Sequence, residues 1–188
     1  MNEDDALVRR LAAGDRSAAE ALVRLALPRI SRLDQRMLGD AHEAEDVCQE
    51  VFMRAFRQAP QWIPGKARFS TWMHRVALNL CYDRLRRRRE TPDAEAGLTL
   101  ADPAPGAGEA WLARQRAQHV RAALDGLRPR QRGAITLCHF EEMPQAEAAA
   151  ALGVSVDAME SLLARARRAL KADLAALAAD LLGQESHG

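Results

Sequence analysis

Residues 145–165 read QAEAAAALGVSVDAMESLLAR, a pattern that predicts a helix, a glycine turn and a second helix. Gly153 can adopt the left-handed backbone conformation that ends a helix abruptly. Ser155 can then cap the second helix by accepting hydrogen bonds from its free backbone N–H groups. The second helix should therefore leave the turn at a defined angle to the first, as in a helix-turn-helix.

The second of these helices has two chemically different faces. Its apolar residues follow helical spacing and predict one buried seam, formed by Met159, Leu163, Ala166 and Leu170. The opposite face is polar and carries Asp157, Ser161, Arg165 and Arg168. Such a face could lie in the major groove of DNA, but an antiparallel helix pair in an all-helical core would show the same pattern.

Composition favours helices throughout the chain. The 188 residues are long enough for one medium domain or two small ones. Aromatic residues make up only 4% of the chain, whereas Ala, Leu, Arg and Glu are abundant. Residues 91–108 lack a helical period and contain several prolines and glycines, which predicts a linker. We therefore expect an all-α fold with two small helical domains, 1–90 and 109–182, and a tail at 183–188.

Four helices are expected in the first domain. The opening helix should stop near Gly14, and Ser17 with Glu20 matches a capping box for the second. Pro28 is expected to kink or restart that second helix because it lacks a backbone N–H group. The apolar spacing predicts a third helix at 42–58 and a fourth at 69–89. The inward face of the third helix is expected to consist of Ala44, Val47, Cys48, Val51, Phe52 and Ala55.

Charge is strongly segregated, although the formal net charge is only +1. An acidic block consists of Asp40, Glu43, Glu45, Asp46 and Glu50. A basic set follows it closely: Lys66, Arg68, Arg75, Arg84 and the arginines at 86–89. Such segregation indicates two different partners more readily than one.

Several classes of protein are disfavoured. The three cysteines are far apart and form no C-x-x-C pair, so we expect a reducing compartment and no metal site. The histidines are dispersed and no catalytic constellation is present, so we expect neither an enzyme nor a cofactor. No apolar run approaches the ~20 residues of a membrane span, and the N-terminus lacks the basic start of a signal peptide. The chain is therefore expected in the cytoplasm.

One stripe of the fourth helix suits a nucleic-acid strand. Arg75, Asn79, Tyr82 and Arg86 follow at steps of four, three and four residues, which places them on one face. Arginine can bind phosphate, asparagine a base edge, and tyrosine can stack on a base. A solvated helix face is the alternative interpretation of such a pattern.

Two segments carry a resemblance to a known family. Residues 44–55, AEDVCQEVFMRA, and 69–80, FSTWMHRVALNL, resemble the first conserved domain of bacterial sigma factors of the extracytoplasmic-function group. The helix-turn-helix, entered through LRPRQR at 127–132, resembles the second domain of that group. The resemblance covers roughly residues 4–182 and implies a non-catalytic subunit that binds core RNA polymerase, directs it to promoters and helps to open the duplex.

The resemblance also assigns residues in the first domain. It implies that Asp46, Gln49, Glu50 and Met53 dock on the clamp helices of the largest polymerase subunit. The arginine-rich stripe of the fourth helix would hold the non-template strand at the promoter element nearer the start site. Lys66 and Arg68 would meet backbone phosphate there, while Trp62 and Trp72 are expected to pack in the core.

In the second domain, the resemblance implies readout of the upstream promoter element in the major groove. The expected contact residues are Val156, Asp157, Glu160, Ser161, Arg165, Arg168 and Lys171. Family members often carry a basic residue where Glu160 and Leu162 stand. Here Glu160 could accept a hydrogen bond from a cytosine amino group, or it could repel phosphate. The resemblance also implies an inhibitory partner, an anti-sigma factor. A dimeric repressor and a helical protein-interaction module are the competing functions.

Overall fold

The computed structural model describes residues 3–65, 67–90 and 108–185. These ranges contain helices and turns and no strand, so the prediction of an all-α fold is confirmed. The helices of the first domain are α1 (Glu3–Ala12), α2 (Arg16–Leu38), α3 (Ala41–Gln58) and α4 (Phe69–Glu90). Those of the second are α5 (Gly108–Gly126), α6 (Pro129–Ile135), α7 (Gln145–Leu152) and α8 (Val156–Glu185). None of the described helices is long and apolar enough to cross a membrane.

The start of α2 differs from the predicted capping box. Asp15, not Ser17, is the N-cap residue, and its carboxylate accepts hydrogen bonds from the backbone N–H groups of Ser17 and Ala18. Glu20 pairs instead with Arg16, at 3.2 Å. The capping-box prediction is therefore wrong, because an aspartate two residues earlier is an equally good cap and is better placed.

The expectation that Pro28 restarts the second helix is also wrong. Helix α2 runs unbroken from Arg16 to Leu38, and Pro28 lies on its exposed side. Residues on both sides of the proline are buried in the same core, including Leu22 before it and Ile30 and Leu33 after it. Packing of these side chains holds the helix together despite the missing backbone donor.

Helices α3 and α4 complete the first domain, near their predicted bounds. The inward face of α3 is buried as expected, with Ala44, Val47, Cys48, Val51, Phe52 and Ala55 in the core. A short 3-10 turn, Ala59–Gln61, leads out of α3. Trp62 then packs edge-on against Phe69, with ring centroids 5.0 Å apart, and Phe69 stacks on Trp72 at 5.3 Å. Both tryptophans are partly buried against the core, so the expectation that they pack is confirmed.

The second domain contains the predicted helix-turn-helix. Gly153 has φ of 66°, and its backbone N–H group donates to the carbonyl oxygen of Ala150, which ends α7. The Ser155 hydroxyl accepts from the Ala158 N–H group at 3.2 Å, as expected for a cap of α8. The apolar seam of α8 is confirmed for Met159, Leu163 and Ala166, which are buried, whereas Leu170 is only partly buried against the core.

The two domains pack against one another and share one continuous hydrophobic core. Helix α7 lies against α4, and a five-residue π-helical segment, Thr136–Phe140, lies near α2. The predicted linker at 91–108 falls outside the described residues except for Gly108, where α5 begins. Helix α8 continues through Gly183 to Glu185, into the segment expected to be a tail.

Candidate functional site

The outward face of α3 combines carboxylates with an exposed apolar side chain. Asp46 has 64% of its side chain exposed and lies 3.9 Å from the Arg84 guanidinium, a long contact. Met53 is 52% exposed, and Gln49 is exposed between them. Because the opposite face of α3 is buried, this surface is rigid. Charges that surround an apolar centre on a rigid helix suit a protein interface in which the charges set the orientation.

Glu50 lies on the same face, but its charge is partly engaged. Its carboxylate accepts a hydrogen bond from Arg54 at 2.8 Å, and this bond lowers the pKa of Glu50 below its usual value. The carboxylate therefore stays ionised at neutral pH. Phe56, one helical turn beyond Met53, is 39% exposed and extends the apolar centre. Sequence reasoning missed Phe56, although its spacing from Met53 could have identified it.

Part of the acidic block has a structural role. Asp40 is the N-cap residue of α3, and its side chain accepts from the Glu43 N–H group at 2.9 Å. Glu43 forms a 2.9 Å ion pair with Arg88 of α4, which also donates to the Leu38 carbonyl oxygen. These two carboxylates fix α3 against its neighbours and are not part of the exposed acidic face.

The predicted strand-binding stripe of α4 is divided between solvent and the second domain. Arg75 and Asn79 are exposed. Arg86 is also exposed and pairs with Asp83 on its own helix at 3.1 Å. Tyr82, in contrast, is partly buried, and its hydroxyl oxygen is buried without a hydrogen-bond partner among the described residues. Burial raises the pKa of Tyr82 well above its usual value, so the phenol is neutral.

The second domain covers the remaining parts of this surface. Gly133 of α6 faces Tyr82 so closely that a Cβ atom there would lie 2.5 Å from the tyrosine oxygen. Arg68 forms an ion pair with Glu147 of α7, at 3.2 Å. Lys66, the other predicted phosphate contact, lies outside the described residues.

The polar face of the helix-turn-helix is exposed along its length. Every predicted contact residue of α8 that was named above lies on the solvent side, while the apolar seam is buried. The face is mixed in charge, with Asp157 and Glu160 near its start and Arg165, Arg168 and Lys171 farther along. The basic residues can bind DNA phosphates. The carboxylates repel phosphate, and their possible hydrogen-bond donors in duplex DNA are the amino groups on the base edges.

A basic cleft of about 500 Å³ lies where the domains meet. Its lining includes five arginines, Arg86 and Arg89 from α4 with Arg128, Arg130 and Arg165 from the second domain. None of the described residues that line it is a carboxylate. Arg86 and Arg165, which were predicted to meet two different promoter elements, therefore line one cleft in this arrangement.

Two of the three cysteines are buried, and one of these, Cys81, contacts the buried carboxylate Asp34. All three cysteines are free, and no group of three or more metal-ligating side chains occurs within the described ranges. The Cys81 thiol donates to Asp34 at 3.4 Å in the core of the first domain. Burial and the nearby Asp34 raise the pKa of Cys48 to about 11, which keeps that thiol protonated and unreactive.

The most extensive polar contact between the domains involves residues that the sequence did not single out. Glu141, in the segment between Phe140 and α7, has no exposed side-chain surface and is paired with Arg29, Arg32 and Arg36 of α2. The only available signal was the spacing of these arginines on one face of α2. Their partner lies more than a hundred residues away along the chain.

Both domains match families of known proteins. Residues 22–91 match the family model described as Sigma-70 region 2, and residues 117–170 match Sigma-70 region 4. The chain is 35% identical to the ECF RNA polymerase sigma factor SigE of Mycolicibacterium smegmatis, with 87% of this chain and 65% of SigE covered. It is 32% identical to the RNA polymerase sigma factor NccH of Alcaligenes xylosoxydans, with 90% and 93% covered.

Solved structures share the fold over most of the chain. CnrH, in complex with the cytosolic domain of CnrY, gives a TM-score of 0.73 at 28% identity, with 93% of this chain and 99% of CnrH covered. The sigma factor RpoE of Bartonella quintana, in complex with the anti-sigma factor NepR, gives 0.65 at 25% identity, with 82% and 95% covered. The buried helical framework, the helix-turn-helix and these relatives agree: the chain belongs to the ECF, or extracytoplasmic-function, family of bacterial RNA polymerase sigma factors.

Proposed function

We propose that the chain binds core RNA polymerase and directs it to specific promoters. In this proposal α3 docks on the polymerase, α4 holds the separated non-template strand, and the helix-turn-helix reads the upstream element. The observation that carries the proposal is the arrangement of α3. Its inward side chains are buried without exception, and its outward face presents Asp46, Gln49 and Met53 to solvent.

Docking on the polymerase is tested by charge reversal on α3. Asp46→Lys with Glu50→Lys replaces attraction by repulsion at an interface where carboxylates meet arginines. We expect the affinity for core polymerase to fall at least tenfold, which corresponds to about 1.4 kcal/mol. Glu20→Lys, which reverses an exposed carboxylate on α2, is the matched control and should bind as the wild type does. Equal co-purification of all three proteins with core enzyme would remove α3 as the docking surface.

Strand capture is tested on the exposed part of α4. A protein can hold melted DNA without covalent chemistry by contacting phosphates and unstacked bases, which offsets the few kcal/mol that unstacking costs. Arg75→Ala with Asn79→Ala should therefore reduce promoter opening while polymerase binding is unchanged. Arg24→Ala removes an equally exposed arginine from α2 and should open promoters normally. Permanganate reactivity of promoter thymines measures opening, and normal reactivity with the double variant would exclude this face.

Readout of the upstream element is proposed for the outer face of α8. Sequencing the transcripts that core polymerase makes with and without the chain on genomic templates would define the promoters. Glu160→Arg would then replace an acceptor of hydrogen bonds by a donor and should shift preference at one upstream base position. If the chain gives core enzyme no start-site selectivity, the proposed function is wrong.

The same proposal includes an inhibitory protein partner, an anti-sigma factor. The support is the likeness to RpoE, whose structure contains the anti-sigma factor NepR, together with the need to cover both the α3 and the DNA-binding faces. A protein that co-purifies with the chain, competes with core polymerase and suppresses transcription would meet this expectation. Competition should weaken with the Asp46→Lys and Glu50→Lys variant, because partner and polymerase would share that face.

A further inference from the structure

One carboxylate of the second domain is clamped by three arginines of the first. Glu141 lies 3.1 Å from Arg36, 3.3 Å from Arg32 and 3.6 Å from Arg29, as measured between guanidinium nitrogens and carboxylate oxygens. Arg29 also donates to the backbone carbonyl oxygen of Glu141 at 2.9 Å. We call these four residues the Glu141 latch.

The latch pairs one buried carboxylate with three partly exposed arginines. The Glu141 side chain is 0% exposed, whereas those of Arg29, Arg32 and Arg36 are 46%, 51% and 26% exposed, so water screens the cluster from the arginine side. The three arginines lie at positions i, i+3 and i+7 of α2 and therefore on one face. The Arg36 guanidinium also lies over the Phe140 ring, 4.5 Å from its centroid, which fixes the residue before Glu141.

A second polar contact holds the same two elements together. Arg132 of α6 is 6% exposed and donates to the carbonyl oxygen of Met37, in the last turn of α2, at 2.7 Å. It also donates to the Asp125 carbonyl oxygen at 2.6 Å and pairs with the Asp125 carboxylate at 2.9 Å. The second domain is thus attached along α2, from Arg29 to the end of the helix.

This attachment places the second domain over part of the α4 stripe. Tyr82 is partly buried with its hydroxyl against Gly133, and Arg68, just before α4, is paired with Glu147. Arg86 and Arg165 face one cleft. Two promoter elements that are separated along a duplex cannot both enter that cleft, so the DNA-binding residues of the two domains cannot act together in this arrangement.

We propose that the Glu141 latch holds the free chain in a closed, autoinhibited state, and that the latch opens before α4 binds a DNA strand. The part of this proposal that concerns DNA binding rests on the proposed function. The part that concerns separation of the two domains does not. Loss of the latch releases three arginines that water can solvate, so opening leaves no buried unpaired charge on α2. The latch adds to the apolar contacts that the two domains share, and its loss shifts the equilibrium towards the open state.

Small-angle X-ray scattering of the full chain tests the closed state without DNA or polymerase. A compact chain of this length has a radius of gyration of about 16 Å, and separation of two tethered domains would raise it to about 20 Å. We expect the compact value for the wild type and the larger one for Glu141→Gln. Glu142→Gln, at the exposed neighbouring residue, is the matched control and should stay compact.

A second variant protects the test against misfolding of the second domain. Arg32→Ala with Arg36→Ala changes only α2 and should open the chain as Glu141→Gln does, with the helix content unchanged by circular dichroism. A wild type that is already extended, or folded latch variants that stay compact, would overturn the latch. A negative transcription assay would refute the proposed function but would not change the scattering results. The two proposals can therefore be refuted separately.

Autoinhibition itself is tested with a labelled single-stranded oligonucleotide of the non-template promoter sequence. Fluorescence anisotropy should show at least tenfold tighter binding by Glu141→Gln than by the wild type or Glu142→Gln. Tyr82→Ala in the Glu141→Gln background should reduce that gain, because Tyr82 is the residue that opening uncovers. Domain separation without tighter binding would refute autoinhibition and retain only a structural clamp.

Discussion

Replacing Asp34 with asparagine should remove most of the pH dependence of first-domain stability between about pH 4 and pH 8. Asp34 is fully buried on α2; among the described residues its only hydrogen bond is from the Cys81 thiol, and its second oxygen has no partner there. Burial raises the pKa of Asp34 from 3.8 to about 8, so the carboxyl is largely protonated in the folded chain at neutral pH. In the unfolded chain it is ionised above about pH 4.

The sign of the effect follows from proton binding. Between these two pKa values the folded chain holds one more proton than the unfolded chain, so stability falls as pH rises. The contribution is fully present below pH 4, falls by roughly 1.4 kcal/mol per pH unit, and is lost near pH 8, a total of roughly 6 kcal/mol. Asparagine is neutral throughout and still offers an oxygen to the Cys81 thiol, so its curve should lack this slope.

Urea unfolding of the full chain, followed by tryptophan fluorescence at intervals from pH 5 to pH 9, measures this difference. The stability of Asp34→Asn relative to the wild type should increase steadily up to about pH 8 and then level off. Asp83→Asn, at a partly exposed carboxylate on α4, is the control and should give no comparable trend. Parallel curves for Asp34→Asn and the wild type would show that Asp34 is ionised in the fold and would refute the reasoning.

Three further substitutions test other features. Gly133→Ala places a Cβ atom 2.5 Å from the Tyr82 oxygen and should destabilise the closed arrangement by about 1–3 kcal/mol in thermal unfolding; an unchanged Tm would contradict this contact. Ser155→Ala removes the α8 cap and should cost about 1 kcal/mol, whereas Ser161→Ala on the exposed face should cost almost nothing. Arg168→Ala should reduce the slope of log affinity against log salt for duplex promoter DNA by about 0.9, and an unchanged slope would exclude a phosphate contact.

Features that depend on neighbouring residues were predictable from the sequence. The buried face of α3 repeats with the period of a helix, and all six residues predicted to face inward are buried. Gly153 and Ser155 act within one turn of the chain, so residue chemistry alone predicts the end of α7 and the cap of α8. The competition between Asp15 and Ser17 was not resolved, because both residue types are good caps and only the local geometry selects one.

Features that depend on the packing of the two domains could not be predicted in this way. Tyr82 belongs to the same stripe as Arg75, yet the second domain covers one and leaves the other exposed. Helical periodicity assigns both residues to one face and says nothing about what packs there. Likewise, the acidic block gave no indication that Glu43 pairs with Arg88 across two helices while Asp46 remains exposed.

The Glu141 latch is a contact that the sequence does not reveal, although it bears on the proposed function. Its arginines precede their partner by 105 to 112 residues, so no local pattern reveals the pairing. The same contacts bring Arg86 and Arg165 to one cleft, although a sigma factor that reads two separated promoter elements needs them apart. A buried ion cluster can satisfy both requirements, because its partners interact strongly when closed and are separately hydrated when open. A partner therefore shifts the chain to the open state if its binding to the exposed faces is more favourable in free energy than closure of the latch.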